Sequence, residues 1–114
     1  MDTQSSLSAD VQFLEDLLTQ YANIPYAFGD MHGQTVFDRE KNRFLLMTMG
    51  WDGTQRIHYV VVDIEIKEGK FWVHRDGLEE GIVGDLEQHG IPKDRIVLAW
   101  FPEETRKHTE YALK

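Results

Sequence analysis

Residues 56–76, RIHYVVVDIEIKEGKFWVHRD, decide the fold of this chain. On both sides of Glu68–Gly69 polar and apolar residues alternate, which is the pattern of two half-buried strands joined by a two-residue turn. Because side chains directly opposite each other share a face, such a turn places Asp63 beside His74 on one face. The other face then carries the apolar side chains Val62, Ile64, Ile66, Phe71 and Val73. The stretch therefore predicts an antiparallel hairpin with one apolar face.

The residues before this hairpin continue the period of two. The predicted strands are residues 32–38, 43–51, 56–67 and 70–75, and the polar connections between them are too short to contain crossover helices. They are expected to pair as a four-stranded antiparallel meander. A turn at Asp52–Gly53 places Leu45, Met47 and Met49 on the core face and Phe44, Leu46 and Thr48 on the other face. Both faces of the sheet centre are then apolar, so we expect a homo-oligomer, a dimer or larger.

A helical period precedes the meander. Apolar residues at three- and four-residue spacing predict a helix over residues 9–22, and Pro25 lies just beyond its end. Residues 1–10 are polar, and we expect them to form a flexible lead-in. The remainder, residues 11–114, is then a single domain.

A second helical period follows the meander and stops at Gly90. It contains Gly81 and Gly84, and since glycine weakens a helix, these two residues predict close packing against another element. The apolar run at residues 96–101 predicts a buried fifth strand. The fold class is therefore α+β, with an N-terminal helix, a four-stranded antiparallel meander, a second helix and a fifth strand.

Composition narrows the function classes. The chain has 114 residues, of which 41% are hydrophobic, and this size suits one core. Its 20 acidic and 12 basic residues give a formal charge of −8, which disfavours strong direct binding to nucleic acid. The absence of cysteine excludes thiolate metal sites and a cysteine nucleophile. No signal peptide or membrane span is recognisable, and we expect a cytoplasmic protein.

No group of residues predicts catalysis. The five histidines lack the i, i+3 or i+4 spacing of a metal site, and the letters of a kinase catalytic loop at residues 74–77 stand without the rest of that machinery. Asp63 beside His74 is the best polar pair available, and a cross-strand hydrogen bond explains it. The expectation is no catalytic residue, no metal site, no cofactor and no enzymatic activity.

From Trp51 onward the sequence resembles the XisI family, the fdxN element excision controlling factors. The resemblance spans residues 11–112, and Asp63 and Leu78 depart from residues frequent in the family. The motifs that carry it are Gly50–Trp51, Arg56, the run DIEIKEGKFWV at 63–73, Arg75–Asp76–Gly77, GIPKDRIVL at 90–98 and TEYA at 109–112.

The resemblance implies a non-enzymatic accessory protein in programmed DNA excision, acting with a XisH-type partner and a site-specific recombinase. The acidic charge adds that the protein contacts other proteins rather than DNA. Two alternatives stay open. One is an acidic, inhibitor-like partner of a nuclease-like XisH protein in a toxin–antitoxin-type system. The other is a domain that binds a small molecule in a cleft near Asp63, His74 and Asp76.

Six exposed residues are the candidate partner contacts. Three are expected at one end of the sheet and three in the C-terminal tail: Trp51, Arg75 and Asp76, then Arg106, Lys107 and Tyr111. The turn at 75–77 also has a purely structural interpretation, in which no partner is bound. Asp76 would cap the following helix, and Gly77 would take a positive φ.

Overall fold

The computed structural model describes residues 3–27 and 29–114, with side chains from Leu7 onward. Its helices are α1 (Thr3–Ala22), α2 (Ile82–His89) and α3 (Glu103–Arg106), and a single 3₁₀ turn covers Lys93–Arg95. Its strands are β1 (Asp30–Asp38), β2 (Arg43–Asp52), β3 (Gln55–Lys67), β4 (Lys70–Asp76) and β5 (Ile96–Leu98). The predicted α+β class and order of elements are confirmed.

The strands form one mixed sheet in the order β1-β2-β3-β4-β5. The first four pair antiparallel as the predicted meander, whereas β5 pairs parallel to β4. The predicted fifth strand over residues 96–101 is too long, because the chain turns after Leu98 and the N–H of Phe101 donates to the carbonyl of Leu98. On the outer side of β5 the tail adds one parallel bridge between Val97 and Ala112.

A β-bulge overturns the predicted faces of β2. Leu46 pairs with Val62 but Met47 pairs with Val60, so Val61 has no partner in β2. Because side chains alternate between faces, one extra residue exchanges the faces on one side of the bulge. The buried side chains of β2 are therefore the set predicted to face outward, Phe44, Leu46 and Thr48.

The turn at the β3–β4 hairpin is confirmed, and a second bulge follows it. Glu68 and Gly69 both have positive φ, 54° and 75°, as a tight two-residue hairpin turn requires. Near the turn the register is the predicted one, but His74 is bulged and Asp63 lies opposite Arg75. The predicted pairing of Asp63 with His74 is therefore wrong.

Both long helices cover the same face of the sheet. The ring of Phe13 in α1 stacks on His89 in α2 with centroids 3.6 Å apart, which places the two helices side by side. Between these helices and the sheet lie large, fully buried side chains: Phe44, Phe71, Leu14, Leu18, Ile64, Ile82, Leu86, Ile96, Val62, Val73 and Thr48. Val97 is also fully buried, but it pairs with Trp72 on the opposite face. No helix in the described part of the chain is long and apolar enough to cross a bilayer.

Helix α1 begins at Thr3, earlier than predicted, so the expected lead-in is helical from that residue on. Met1 and Asp2 lie outside the described residues. Asp10 lies inside the helix, and its carboxylate accepts a hydrogen bond of 2.6 Å from Nη2 of Arg95. Leu7 packs against the core. These long-range contacts stabilise the first turns, and a local pattern cannot reveal them.

The two glycines near α2 do not serve close packing. Gly81 precedes the helix with φ 82°, and Gly84 has no heavy atom within 4 Å of the position that a Cβ would take. The prediction of close packing is therefore wrong at Gly84. Gly90 ends the helix in the left-handed conformation with φ 105°, as predicted.

Replacing Gly84 with alanine is expected to raise the free energy of unfolding by about 0.5–1 kcal/mol. The added methyl group meets nothing and lowers the conformational entropy of the unfolded chain. Urea denaturation measures the change. Gly81→Ala is the matched control and should destabilise by about 1–2 kcal/mol, since its φ of 82° is one that residues with a Cβ rarely adopt. A loss of stability in Gly84→Ala would contradict the geometry.

Candidate functional site

The face of the sheet opposite α1 and α2, here called the open face, carries an apolar patch. Cross-strand pairs place Val36 opposite Leu45 and Met47 opposite Val60, with Met49 next along β2. These five side chains are half-buried or exposed, and Val36 is 42% exposed. The sequence correctly predicted a second apolar face, with the wrong members of β2 on it.

Beside the apolar patch lies a strip of paired charges. Arg43 donates two hydrogen bonds to Asp63, from Nε to Oδ1 over 2.6 Å and from Nη2 to Oδ2 over 3.0 Å, and this contact raises the pKa of the guanidinium. Nε2 of His74 lies 3.1 Å from Oε1 of Glu65. Asp63 and His74 thus bond to different partners. The small-molecule alternative placed these two side chains together in one cleft, and the structure does not pair them.

The open face has the features of a surface that binds another protein. Its apolar side chains resemble the core of a protein interface, and the paired charges beside them resemble its rim. Within residues 3–27 and 29–114 there is no group of three or more His, Asp or Glu side chains that could hold a metal ion.

A second candidate site, here called the tyrosine cleft, lies on the helical side of the sheet and has a volume of about 370 Å³. It opens where the end of α1 meets the β-bulge and the turn before α2. Its lining includes Tyr21, Ile24, Tyr26, Thr48, Val61 and Leu78. Sequence reasoning missed this cleft, since the exchange of faces at Val61 is what turns Thr48 inward.

Tyr21 ties the cleft to α2. Its hydroxyl donates a hydrogen bond of 2.5 Å to Oδ2 of Asp85. This bond to a carboxylate, with partial burial, raises the pKa of Tyr21 to about 12. Since the folded pKa lies above the ordinary value of 10.0, the neutral phenol stabilises the folded state below pH 10, and the stabilisation is lost as the pH rises toward 12.

Tyr21→Phe is therefore expected to lower the free energy of unfolding by about 1 kcal/mol at pH 7, a modest value because both partners are partly solvated. Urea denaturation of both proteins at pH 7 and pH 11 measures the effect. The difference between them should shrink at pH 11, because the phenol ionises in the unfolded chain while it is still held neutral in the folded one. A difference that is equal at the two pH values would contradict this role.

Known proteins share the sequence pattern of this chain. The family model described as XisI protein matches residues 1–113. The chain belongs to the XisI family. The resemblance read from the sequence is thereby confirmed. None of the curated proteins matches the chain.

Two solved structures resemble this XisI-family chain. A XisI-like protein from Anabaena variabilis has 30% sequence identity and a TM-score of 0.86, over 95% of this chain and 99% of that chain. The fdxN element excision controlling factor XisI from the same organism has 24% identity and a TM-score of 0.78, over 96% of this chain and 99% of that chain. The second likeness concerns the fold alone.

In this XisI-family chain the candidate partner contacts at the sheet do not lie together. Trp51 is 46% exposed at the tip of the β2–β3 hairpin, where the guanidinium of Arg56 lies 5.4 Å from its ring centroid. Arg75 lies opposite Asp63. Nε of Arg75 donates to the carbonyl of Val60 over 2.6 Å, and β3 runs roughly 13 Å from Val60 to Arg56, so Trp51 and Arg75 are separate points of contact. Binding of a partner by both stays a prediction.

Asp76 holds the start of α2, as the structural interpretation predicted, although the N-cap position itself is Gly81. Its two carboxylate oxygens accept the N–H of Ile82 over 3.0 and 2.9 Å at the start of α2. Gly77 has no positive φ, contrary to that interpretation. A Cβ at this position would instead lie 3.1 Å from the carbonyl oxygen of Val61, so a side chain there would be crowded against β3.

The tail candidates of the XisI-family chain hold the C-terminus in place. Arg106 donates from Nε to the carbonyl of Phe101 over 2.8 Å and from Nη1 to that of Leu113 over 2.6 Å. The hydroxyl of Tyr111 donates to Glu87 over 3.2 Å, and burial followed by this bond raises the pKa of Tyr111. Lys107 is exposed and pairs only with Glu104 among the described residues. Binding of a partner by these residues stays a prediction.

Proposed function

We propose that this XisI-family chain is a non-enzymatic accessory protein in programmed DNA excision, acting in the cytoplasm with a XisH-type partner and a site-specific recombinase. The observation that carries the proposal is the family match over residues 1–113. The name of one structural relative, an fdxN element excision controlling factor, agrees with it. Trp51, Arg75, Asp76, Arg106, Lys107 and Tyr111 are the proposed partner contacts.

The charge of the chain supports action through proteins. With a formal charge of −8, it is repelled by DNA phosphates and attracted to basic protein surfaces. Contact with the excision site is then made by the partner or the recombinase.

Co-expression with a XisH-type protein tests the proposal. Size-exclusion chromatography with light scattering is expected to show a stable complex of the two proteins, which weakens as salt concentration rises. The purified chain alone should not bind element-border DNA. Clean separation of the two proteins, or tight salt-sensitive DNA binding by this chain alone, would overturn the proposal.

We further propose that two copies associate through the open face. Its apolar patch is covered by no helix of the described chain, and exposed patches of this kind mark interfaces. Light scattering at about 50 μM should give the mass of a dimer. Met47→Lys should give the mass of a monomer, whereas Gln88→Lys, which adds the same charge on the exposed side of α2, should not. A monomeric wild-type protein would disprove this association.

The same acidic charge favours a second candidate, an inhibitor-like partner of a nuclease-like XisH protein in a toxin–antitoxin-type system. Expression of the partner alone would then arrest growth, and co-expression of this chain would restore it. Absence of toxicity from the partner alone would remove this candidate and leave the excision role.

A further inference from the structure

The floor of the tyrosine cleft contains a buried polar group. Thr48 is 1% exposed, and it is the buried polar residue of the described core. Its hydroxyl lies 2.5 Å from that of Tyr26, the one partner it has in the described residues. Two hydroxyls that share one hydrogen bond use one proton between them. The second proton remains available to an acceptor that enters the cleft.

The mouth of the cleft is apolar and aromatic. Ile24 is 58% exposed and Tyr26 is 41% exposed, although both line it. Tyr59, which is 49% exposed, lies directly opposite Thr48 on the same face of the sheet. Exposed tyrosines around a concave apolar surface are typical of the sites where partners insert a side chain.

The charged residue that lines the cleft and the one at its border are both acidic. Glu79 lines it, and Asp85 accepts the hydroxyl of Tyr21 at its border. None of the lining residues is basic. An anionic occupant would be repelled, and a cationic one would be attracted.

We propose that the tyrosine cleft binds an apolar or aromatic side chain carried by a basic segment of a protein partner. A volume of about 370 Å³ accommodates one large side chain and its neighbouring backbone. The free hydroxyl proton at Thr48 or Tyr26 pairs with a backbone carbonyl of that segment, and Glu79 attracts the flanking cations. This inference rests on the proposed role as a protein-binding accessory factor and adds a further surface to the contacts proposed above.

Two short peptides of opposite charge test the cleft directly. Acetyl-Arg-Trp-Arg-amide and acetyl-Glu-Trp-Glu-amide are titrated into the full ¹⁵N-labelled chain, and amide shifts are followed by NMR. The basic peptide is expected to shift the amides of Thr48, Val61 and Leu78 and to bind at least tenfold more tightly than the acidic one. Equal binding of the two peptides, or shifts confined to other surfaces, would overturn the proposal.

Variants then locate the binding. Tyr26→Ala and Glu79→Lys, both at exposed positions, should each weaken the basic peptide at least fivefold. Thr48→Val keeps the shape of the side chain and should weaken it about threefold. Trp100→Ala removes an exposed aromatic residue outside the cleft and should change nothing. Unaltered binding by all three cleft variants would disprove the assignment.

The same variants are tested in the complex with the XisH-type protein. If the wild-type complex forms and Glu79→Lys weakens it at least tenfold, the cleft is the partner site. If that complex forms and the variants bind equally well, the cleft proposal fails while the proposed function stands. If no wild-type complex forms, the proposed function fails, and the peptide titration still decides the cleft.

Discussion

Gly50→Ala is expected to cost more than about 4 kcal/mol of folding free energy, enough to leave little folded protein from a small domain. Gly50 is buried in β2 with φ 139°, a conformation that residues with a Cβ rarely adopt. A Cβ there would overlap the carbonyl oxygen of Asp30 and lie 2.7 Å from Cα of Met31. Since both obstacles are backbone atoms of the paired strand, no side-chain rotation relieves the overlap.

Circular dichroism and urea denaturation measure this effect, and Gly53→Ala is the matched control. Gly53 also has a positive φ, 62°, but no heavy atom lies within 4 Å of its added Cβ. This control should cost about 1 kcal/mol, the price of the backbone conformation alone. Equal stability of the two variants would show that close approach of β1 to β2 is not what requires glycine at position 50.

Leu46→Lys should prevent folding, whereas Met47→Lys should leave the chain folded. Leu46 is 4% exposed beneath the helices, and an unpaired ammonium group there costs several kcal/mol. Met47 points to the open face, where a lysine keeps its charged end in water. The two substitutions introduce the same side chain at neighbouring positions, so only the face differs.

Thermal denaturation followed by circular dichroism distinguishes these outcomes. Leu46→Ala is a milder variant that should fold and lose about 3 kcal/mol, which shows that the failure of Leu46→Lys reflects buried charge at this site. The sequence pattern predicted a register with no bulge at Val61, and in that register Met47 would face the core. Met47→Lys would then be the variant that does not fold, and that result would disprove the observed register.

Local patterns predicted the elements well because their causes are local. A two-residue turn needs positive φ, and Glu68–Gly69 supplies it. The left-handed end of α2 likewise requires a residue such as Gly90. Predictions that relied on pairing over a distance were less accurate, as the separate partners of Asp63 and His74 illustrate.

The α+β class, the meander, the family and a second apolar face could therefore be inferred from the order of residues along the chain. Only the tertiary structure decided which side chains occupy each face, and it created the tyrosine cleft and the bond between Asp10 and Arg95. The physical reason is that side chains alternate along a strand, so one unpaired residue such as Val61 exchanges the faces. Packing of the helices against the sheet selects that bulge, and no short stretch of sequence contains this information.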